Sequence, residues 1–185
     1  MEYSEQRRNS LAARLSAGDR EAAVELVDIY YQQLYVFFRR LGHSSQASED
    51  LTQESFLAAW QHIGQLRSGK TLNSWVYRIA SNASKQYWRG HKADKAISIE
   101  EIDVPDGGEP MSDISGNSER LGKLKVAVAE LPMKLRQAVV LHYMQNLTIA
   151  EAAEAAGVRG GTFKSRLNRA LKNLKNHFRE DGELL

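Results

Sequence analysis

Apolar residues return along most of this chain at the 3.6-residue spacing of α-helices, and capping residues and glycines mark the breaks between runs. Asp19 precedes a run that aligns Leu26, Ile29, Tyr30, Leu34, Phe37 and Leu41 on one face, and Gly42 ends it. Ser44 or Ser45 caps a second run, with Glu49 and Asp50 toward its positive end. Residues 64–70 read as a loop. The helix expected from about Thr71 has the most regular pattern, with Leu72, Trp75, Val76, Ile79, Ala80, Ala83 and Tyr87 on one stripe. Further on, the pattern predicts a helix over about 121–131. Another starts at Pro132, which suits a first helical position, and runs to about Gln145. Thr148 and Glu151 have the spacing of a capping box for a short helix, 149–156, that Gly157 stops. A tight turn, 158–161, leads into a long helix from Thr162 towards Phe178. A short capped helix, a glycine turn and a longer helix make a helix-turn-helix.

Between these two groups of helices the composition changes. From Ala93 to Arg120 the chain carries Asp94, Glu100, Glu101, Asp103, Asp106, Glu109, Asp113 and Glu119 against Lys95 and Arg120, with two prolines and three glycines interspersed. Low hydrophobicity with one-sided charge does not offset the entropy of ordering, so this stretch reads as a flexible acidic linker. A linker of that kind leaves the two halves unfixed relative to each other. The expected fold is therefore all-α, with two small helical domains.

The overall charge, 25 Lys+Arg against 23 Asp+Glu in 185 residues, decides little; its distribution decides more. From Arg159 to Arg179 there is no acidic residue. Phe163, Leu167, Ala170, Leu171 and Leu174 form the apolar face of the last helix. Lys164, Ser165, Asn168, Arg169 and Lys172 can face DNA together, beside Thr162 and Arg166, which gives cations for phosphates and short polar groups for base edges. Opposite the apolar stripe of the Thr71 helix, Arg78, Ser81, Asn82, Lys85 and Arg89 line up, with Tyr87 and Trp88 beside them. Cations interleaved with aromatics suit opened DNA, although the aromatics fit a core equally well. On the second helix Asp50, Gln53, Glu54, Leu57 and Gln61 share one side. That stripe is either simply solvated or a docking face for a basic partner.

Catalysis finds no support. The histidines His43, His62, His91, His142 and His177 are scattered without ligand spacing, and cysteine is absent, so no metal or cofactor is expected. The polar start and the lack of roughly 18 uninterrupted apolar residues argue against a signal peptide and a membrane span, which leads to the expectation of a cytoplasmic protein without membrane insertion.

Several runs, in order, resemble the extracytoplasmic-function (ECF) class of sigma-70 family RNA polymerase sigma factors. SEDLTQESFLAAW (48–60) and SWVYRIASN (74–82) resemble sigma domain two. Leu131-Pro132 with Arg136, LTIAEAA (147–153) and GTFKSRLNRA (161–170) resemble sigma domain four. The resemblance implies a domain-two bundle at 1–95, a linker at 96–118 and a domain-four helix-turn-helix at 119–185. Asp50, Gln53 and Glu54, with Leu57 on the same stripe, would bind the clamp helices of core RNA polymerase. Asn82 and its neighbours Arg78, Lys85, Trp88 and Arg89 would open and read the promoter −10 element. Lys164, Ser165, Arg166 and Arg169, with Thr162, Asn168 and Lys172, would read the −35 element. It further implies a non-enzymatic initiation factor, acting in a stress or envelope response and restrained by an anti-sigma factor. A free-standing helix-turn-helix regulator with an N-terminal sensing domain would account for the second half but leave the Asp50 face unassigned. The chain departs from the family pattern in three ways, at four positions. Arg159 stands where a capping serine is common, Phe163 where a smaller β-branched residue is usual, and Ala152 and Ala156 replace larger aliphatics. These departures predict a shifted recognition helix and a thinned domain-four core.

Overall fold

The computed structural model describes residues 5–66, 68–91 and 115–180. The linker assigned to 96–118 lies outside the described residues as far as 114. Among the described residues there are eight α-helices and no strand.

α1 (Glu5–Ser16) is an element that the hydrophobic pattern did not predict. It contributes Leu11, Ala12 and Leu15 to the core, all but inaccessible to solvent. Gly69 lets it in: a Cβ there would lie 2.3 Å from the backbone nitrogen of Asn9, so only glycine allows this approach. Asp19 caps α2 (Arg20–Arg40) by accepting from the backbone N–H groups of Glu21 and Ala22. The Asp19 carboxylate also receives Arg14 Nε at 2.8 Å, which holds its pKa below the usual value, while another Arg14 nitrogen reaches Glu25 at 2.8 Å. These contacts staple α1 to α2. Ser44 caps α3 (Ser45–Gln61), so Glu49 and Asp50 fall in the second turn rather than at the positive end. The loop expected at 64–70 contains two short 3₁₀ turns, Ile63–Gln65 and Gly69–Thr71. α4 (Leu72–Gly90) follows, with Leu72, Trp75, Val76, Ala80 and Ala83 buried as the spacing predicts.

In the second half, α5 (Ser115–Glu130) begins six residues before Leu121, earlier than the first leucine suggested. The helix expected from Pro132 to Gln145 is divided. α6 (Met133–Val139) passes into a π-helical turn, Val140–Met144, closed by Gln145 N–H to the Val140 carbonyl at 2.9 Å. Thr148 and Glu151 form the complete capping box of α7 (Ile149–Ala156), and Gly157 ends it in the left-handed region at φ 68°. α8 (Gly160–Glu180) starts two residues before the expected Thr162. Phe163, Leu167, Ala170 and Leu174 are buried as its apolar face, whereas Leu171, expected with them, is 40% exposed.

The two halves touch, and side-chain contacts between them fix their placement, contrary to the expectation of unfixed halves. α4 lies along α7. Arg136, from the second half, donates to the carbonyls of Leu41 at 2.8 Å, Leu131 at 3.2 Å and Ala129. Arg40 of α2 donates in return to the Met144 carbonyl at 2.8 Å.

Candidate functional site

The α3 stripe is built by small hydroxyls on its inner face. Ser48, Thr52 and Ser55 are buried with Ala47, Leu51 and Ala59. Thr52 Oγ1 donates to the Ser48 carbonyl at 2.7 Å and Ser55 Oγ to the Leu51 carbonyl at 2.6 Å, both within the helix, while Ser48 Oγ donates to the His43 carbonyl at 3.5 Å. Asp50, Gln53, Glu54 and Leu57 face outward together. Leu57 is 66% exposed and Trp60, further along the same side, 43%. Apolar groups that open to solvent beside carboxylates are what a docking face needs.

The α4 face differs from the expectation in one respect. Arg78, Asn82, Lys85 and Arg89 are exposed by residue, but Ser81, placed with them by periodicity, is fully buried. Ser81 lies opposite the apolar stripe, so the N-terminal bundle does not bury it; the second half does. Its neighbours one turn away confirm this. Tyr77 Oη donates to Gln145 Oε1 at 2.7 Å, and Lys85 Nζ donates to the Ala156 carbonyl at 2.9 Å. Burial, then repulsion from Arg166 and Arg78, lowers the Lys85 pKa. Trp88 is anchored rather than free: its ring stacks on His43 with centroids 4.9 Å apart. Its neighbour Tyr87 stacks on His91 at 4.1 Å.

His43 is the residue whose role the sequence reading missed. It is 2% exposed, bonds through Nε2 to Ser84 Oγ at 2.8 Å, and packs edge-on against Phe38 and Tyr87. Burial, reinforced by the nearby Arg136 cation, pushes its pKa down to about 3. It is the neutral pin that fixes Trp88 and, through Ser84, the C-terminal turns of α4.

On α8, Thr162, Lys164, Ser165, Asn168, Arg169 and Lys172 are all exposed. Arg166 is half-buried and parts from them. It lines an open cleft of about 650 Å³ shared with Asn82, Lys85, Trp88 and Arg89 of α4 and with Lys134 and Gln137 of α6. Among the described residues, no carboxylate lines this cleft. The fold thus keeps six of the seven residues assigned to the last helix on one open face and moves the seventh to the α4 set. Phe163 on α8 is fully buried, as are Ala152 and Ala156 on α7, and the two helices pack on each other.

The Sigma-70 region 2 family matches residues 26–93, and the Sigma-70, region 4 family matches residues 121–174. The ECF RNA polymerase sigma factor SigM of Mycobacterium tuberculosis is 33% identical over 164 residues, which span 89% of this chain and 80% of the relative. The chain belongs to the ECF RNA polymerase sigma factors. The ECF RNA polymerase sigma factor SigW of Bacillus subtilis is 29% identical over 178 residues, 90% of this chain and 94% of the relative. CnrH, solved in complex with the cytosolic domain of CnrY, has the same fold at a TM-score of 0.70 and 21% identity; the match covers 94% of this chain and 98% of that one. RpoE of Bartonella quintana, solved with the anti-sigma factor NepR, matches at a TM-score of 0.62 and 23% identity, over 84% of this chain and 95% of that one. Members of this family bind core RNA polymerase and promoter DNA to start transcription. Among the described residues no helix is long and apolar enough to cross a membrane.

Proposed function

We propose that this sigma factor divides its work among three faces. α3 docks on core polymerase through Asp50, Gln53, Glu54 and Leu57. α4 reads the −10 element through Arg78, Asn82, Lys85, Trp88 and Arg89. α8 reads the −35 element through Thr162, Lys164, Ser165, Arg166, Asn168, Arg169 and Lys172. Residues 1–95 and 119–185 are the working domains on either side of the 96–118 linker. The chain acts without catalysis of its own, in the cytoplasm, under restraint by an anti-sigma partner. The observation that carries the reading is the outer face of α8, where six polar or cationic side chains stand exposed on a helix that opens from a capped helix and a glycine turn. Transcription in vitro with core polymerase on genomic promoter fragments tests it. A chain that binds an operator alone and gives core polymerase no new start sites would be a regulator instead.

Two predictions follow the division of labour. Asp50→Arg reverses charge on an exposed position, so folding is unchanged while affinity for core polymerase drops; a pull-down that retains full core binding would remove α3 from the docking role. Lys164→Ala or Arg169→Ala weakens −35 recognition by about 1–3 kcal/mol where a base is contacted, or lowers the salt slope where only phosphate is. Asn82→Ala impairs the −10 step and leaves the −35 footprint intact. Identical footprint losses in all three variants would contradict separate faces.

A further inference from the structure

The cleft between α4, α6 and α8 collects cations from both halves of the chain. Lys85 and Arg89 come from α4, Lys134 from α6 and Arg166 from α8. Surfaces that meet normally bring opposite charges together, but here like charges face one another. Among the described residues, none of the four is paired with a carboxylate. The crowding is felt at Lys85, whose pKa falls through burial and then through repulsion from Arg166 and Arg78. Lys85 donates to the Ala156 carbonyl at 2.9 Å, but a carbonyl carries no full charge to balance it. An anion with more than one charge would relieve the repulsion.

The rest of the lining narrows the class of that anion. Gln137 is 5% exposed, yet its amide hydrogen-bonds to no described residue. A buried amide normally has a partner, so this one is left for an occupant of the cleft it lines. Asn82 and Gln86 add two further carboxamides from α4. Each carboxamide both donates and accepts, whereas a bare phosphate only accepts. Leu41, Met133 and Val158 supply apolar wall, and Trp88 adds an aromatic one that stacking on His43 holds in place. Cations suit phosphoryl oxygens, carboxamides suit the edge of a base, and apolar walls suit its faces. The volume of about 650 Å³ lies within the roughly 300–1,000 Å³ of small-molecule sites.

We propose that this cleft is a binding site for a nucleoside polyphosphate. Arg166 and Lys134 hold the phosphoryl groups, the arginine through its planar fork, and the Gln137 amide meets the nucleoside. Both halves contribute, so neither domain forms the site alone. A bound nucleotide would occupy Asn82, Lys85, Trp88 and Arg89 and compete with promoter DNA there. That consequence rests on the −10 role proposed for α4. The binding does not, and a titration without DNA reads binding alone.

The test is calorimetric titration of the full chain with adenosine and guanosine 5′-diphosphates, inorganic pyrophosphate and adenosine. At least one of the two diphosphates should bind saturably at one site, pyrophosphate more weakly, and adenosine not at all. Lys134→Gln with Arg166→Gln should weaken the bound diphosphate by at least about tenfold, as loss of charge-assisted hydrogen bonds requires. Lys175→Gln with Arg179→Gln removes the same charge from exposed positions of α8 outside the cleft and should leave binding unchanged. Gln137→Met keeps the volume and removes the amide, so it should weaken the diphosphate by about fivefold and leave pyrophosphate as it was. Absence of saturable binding by either diphosphate would overturn the proposal. So would equal losses in the two charge-removing pairs, which would mean diffuse attraction, or pyrophosphate bound as tightly as the diphosphates, which would leave the nucleoside no role.

Discussion

Phe163→Ala will destabilise the C-terminal half by about 3–5 kcal/mol, the range for removing a fully buried ring. Phe163 has no solvent-accessible surface. It sits in the first turns of α8, which packs on α7 with its buried Ala152, Ala153, Ala155 and Ala156. Alanines cannot extend into the space the ring would vacate, so the cavity remains open and the upper part of the range applies. All three tryptophans, Trp60, Trp75 and Trp88, lie in the first half. Urea unfolding followed by far-ultraviolet circular dichroism should therefore lose part of its helical signal early, while tryptophan emission holds its midpoint. Phe163→Val keeps part of the volume and should fall between the two. Because the −35 face is carried on α8 and the docking face on α3, the alanine variant should lose −35 footprints and keep core binding. A loss below about 1 kcal/mol would mean that the alanine-rich core closes around the gap by itself.

That ring also explains a departure from the family pattern. Seen as sequence, a phenylalanine in place of a β-branched residue and two alanines in place of larger aliphatics read as two separate defects. In the fold all three are buried, on two helices that pack on each other. The alanines serve a second contact as well, because a thin α7 can lie against α4. Packing between two helices is invisible to periodicity, which reports the face of one helix at a time.

The legible parts of the fold were those written locally. Asp19, Ser44, Thr148 with Glu151, and Gly157 each occupy the capping position their chemistry predicts. α1 escaped because its apolar signal is limited to Leu11, Ala12 and Leu15, and its stability comes from outside itself: Arg14 held by Asp19 and Glu25, and the glycine at 69 that admits its backbone. The three candidate faces were legible as stripes, and their exposure follows the stripes except at Ser81 and Arg166. Both exceptions have one cause. Each lies where the two halves meet, and sequence separation across a linker carries no signal of that meeting. Arg136 was found through its place in a motif, but its reach to the Leu41 carbonyl spans 95 positions in sequence and belongs to tertiary structure alone.

Acidification from pH 7.5 to pH 5 will cost the chain about 2 kcal/mol of stability through His43 alone. Its pKa is about 3 in the fold against an ordinary 6.5, chiefly because burial penalises the charged ring and secondarily because Arg136 stands nearby. The folded state therefore keeps His43 neutral, while the unfolded chain takes up a proton as pH falls below 6.5. The unfolded state binds more protons throughout that interval. The stabilisation is thus complete above pH 6.5 and is lost progressively as pH falls from 6.5 towards 3. The Asp19 carboxylate, held below its usual value by Arg14, stays ionised between pH 7.5 and pH 5 and adds nothing to this loss. Protonation would also turn a neutral ring into a second cation beside Arg136, which comes from the other half of the chain. That cost, at the contact between the halves and in the core around Trp88, is what keeps the folded ring neutral. Urea denaturation at the two pH values should show the loss in the unaltered chain and a much flatter dependence in His43→Gln, which is less stable at pH 7.5 but has no ring to protonate. An equal pH slope in both proteins would show that His43 can take a proton in place, and that its burial does not govern the acid sensitivity of the fold.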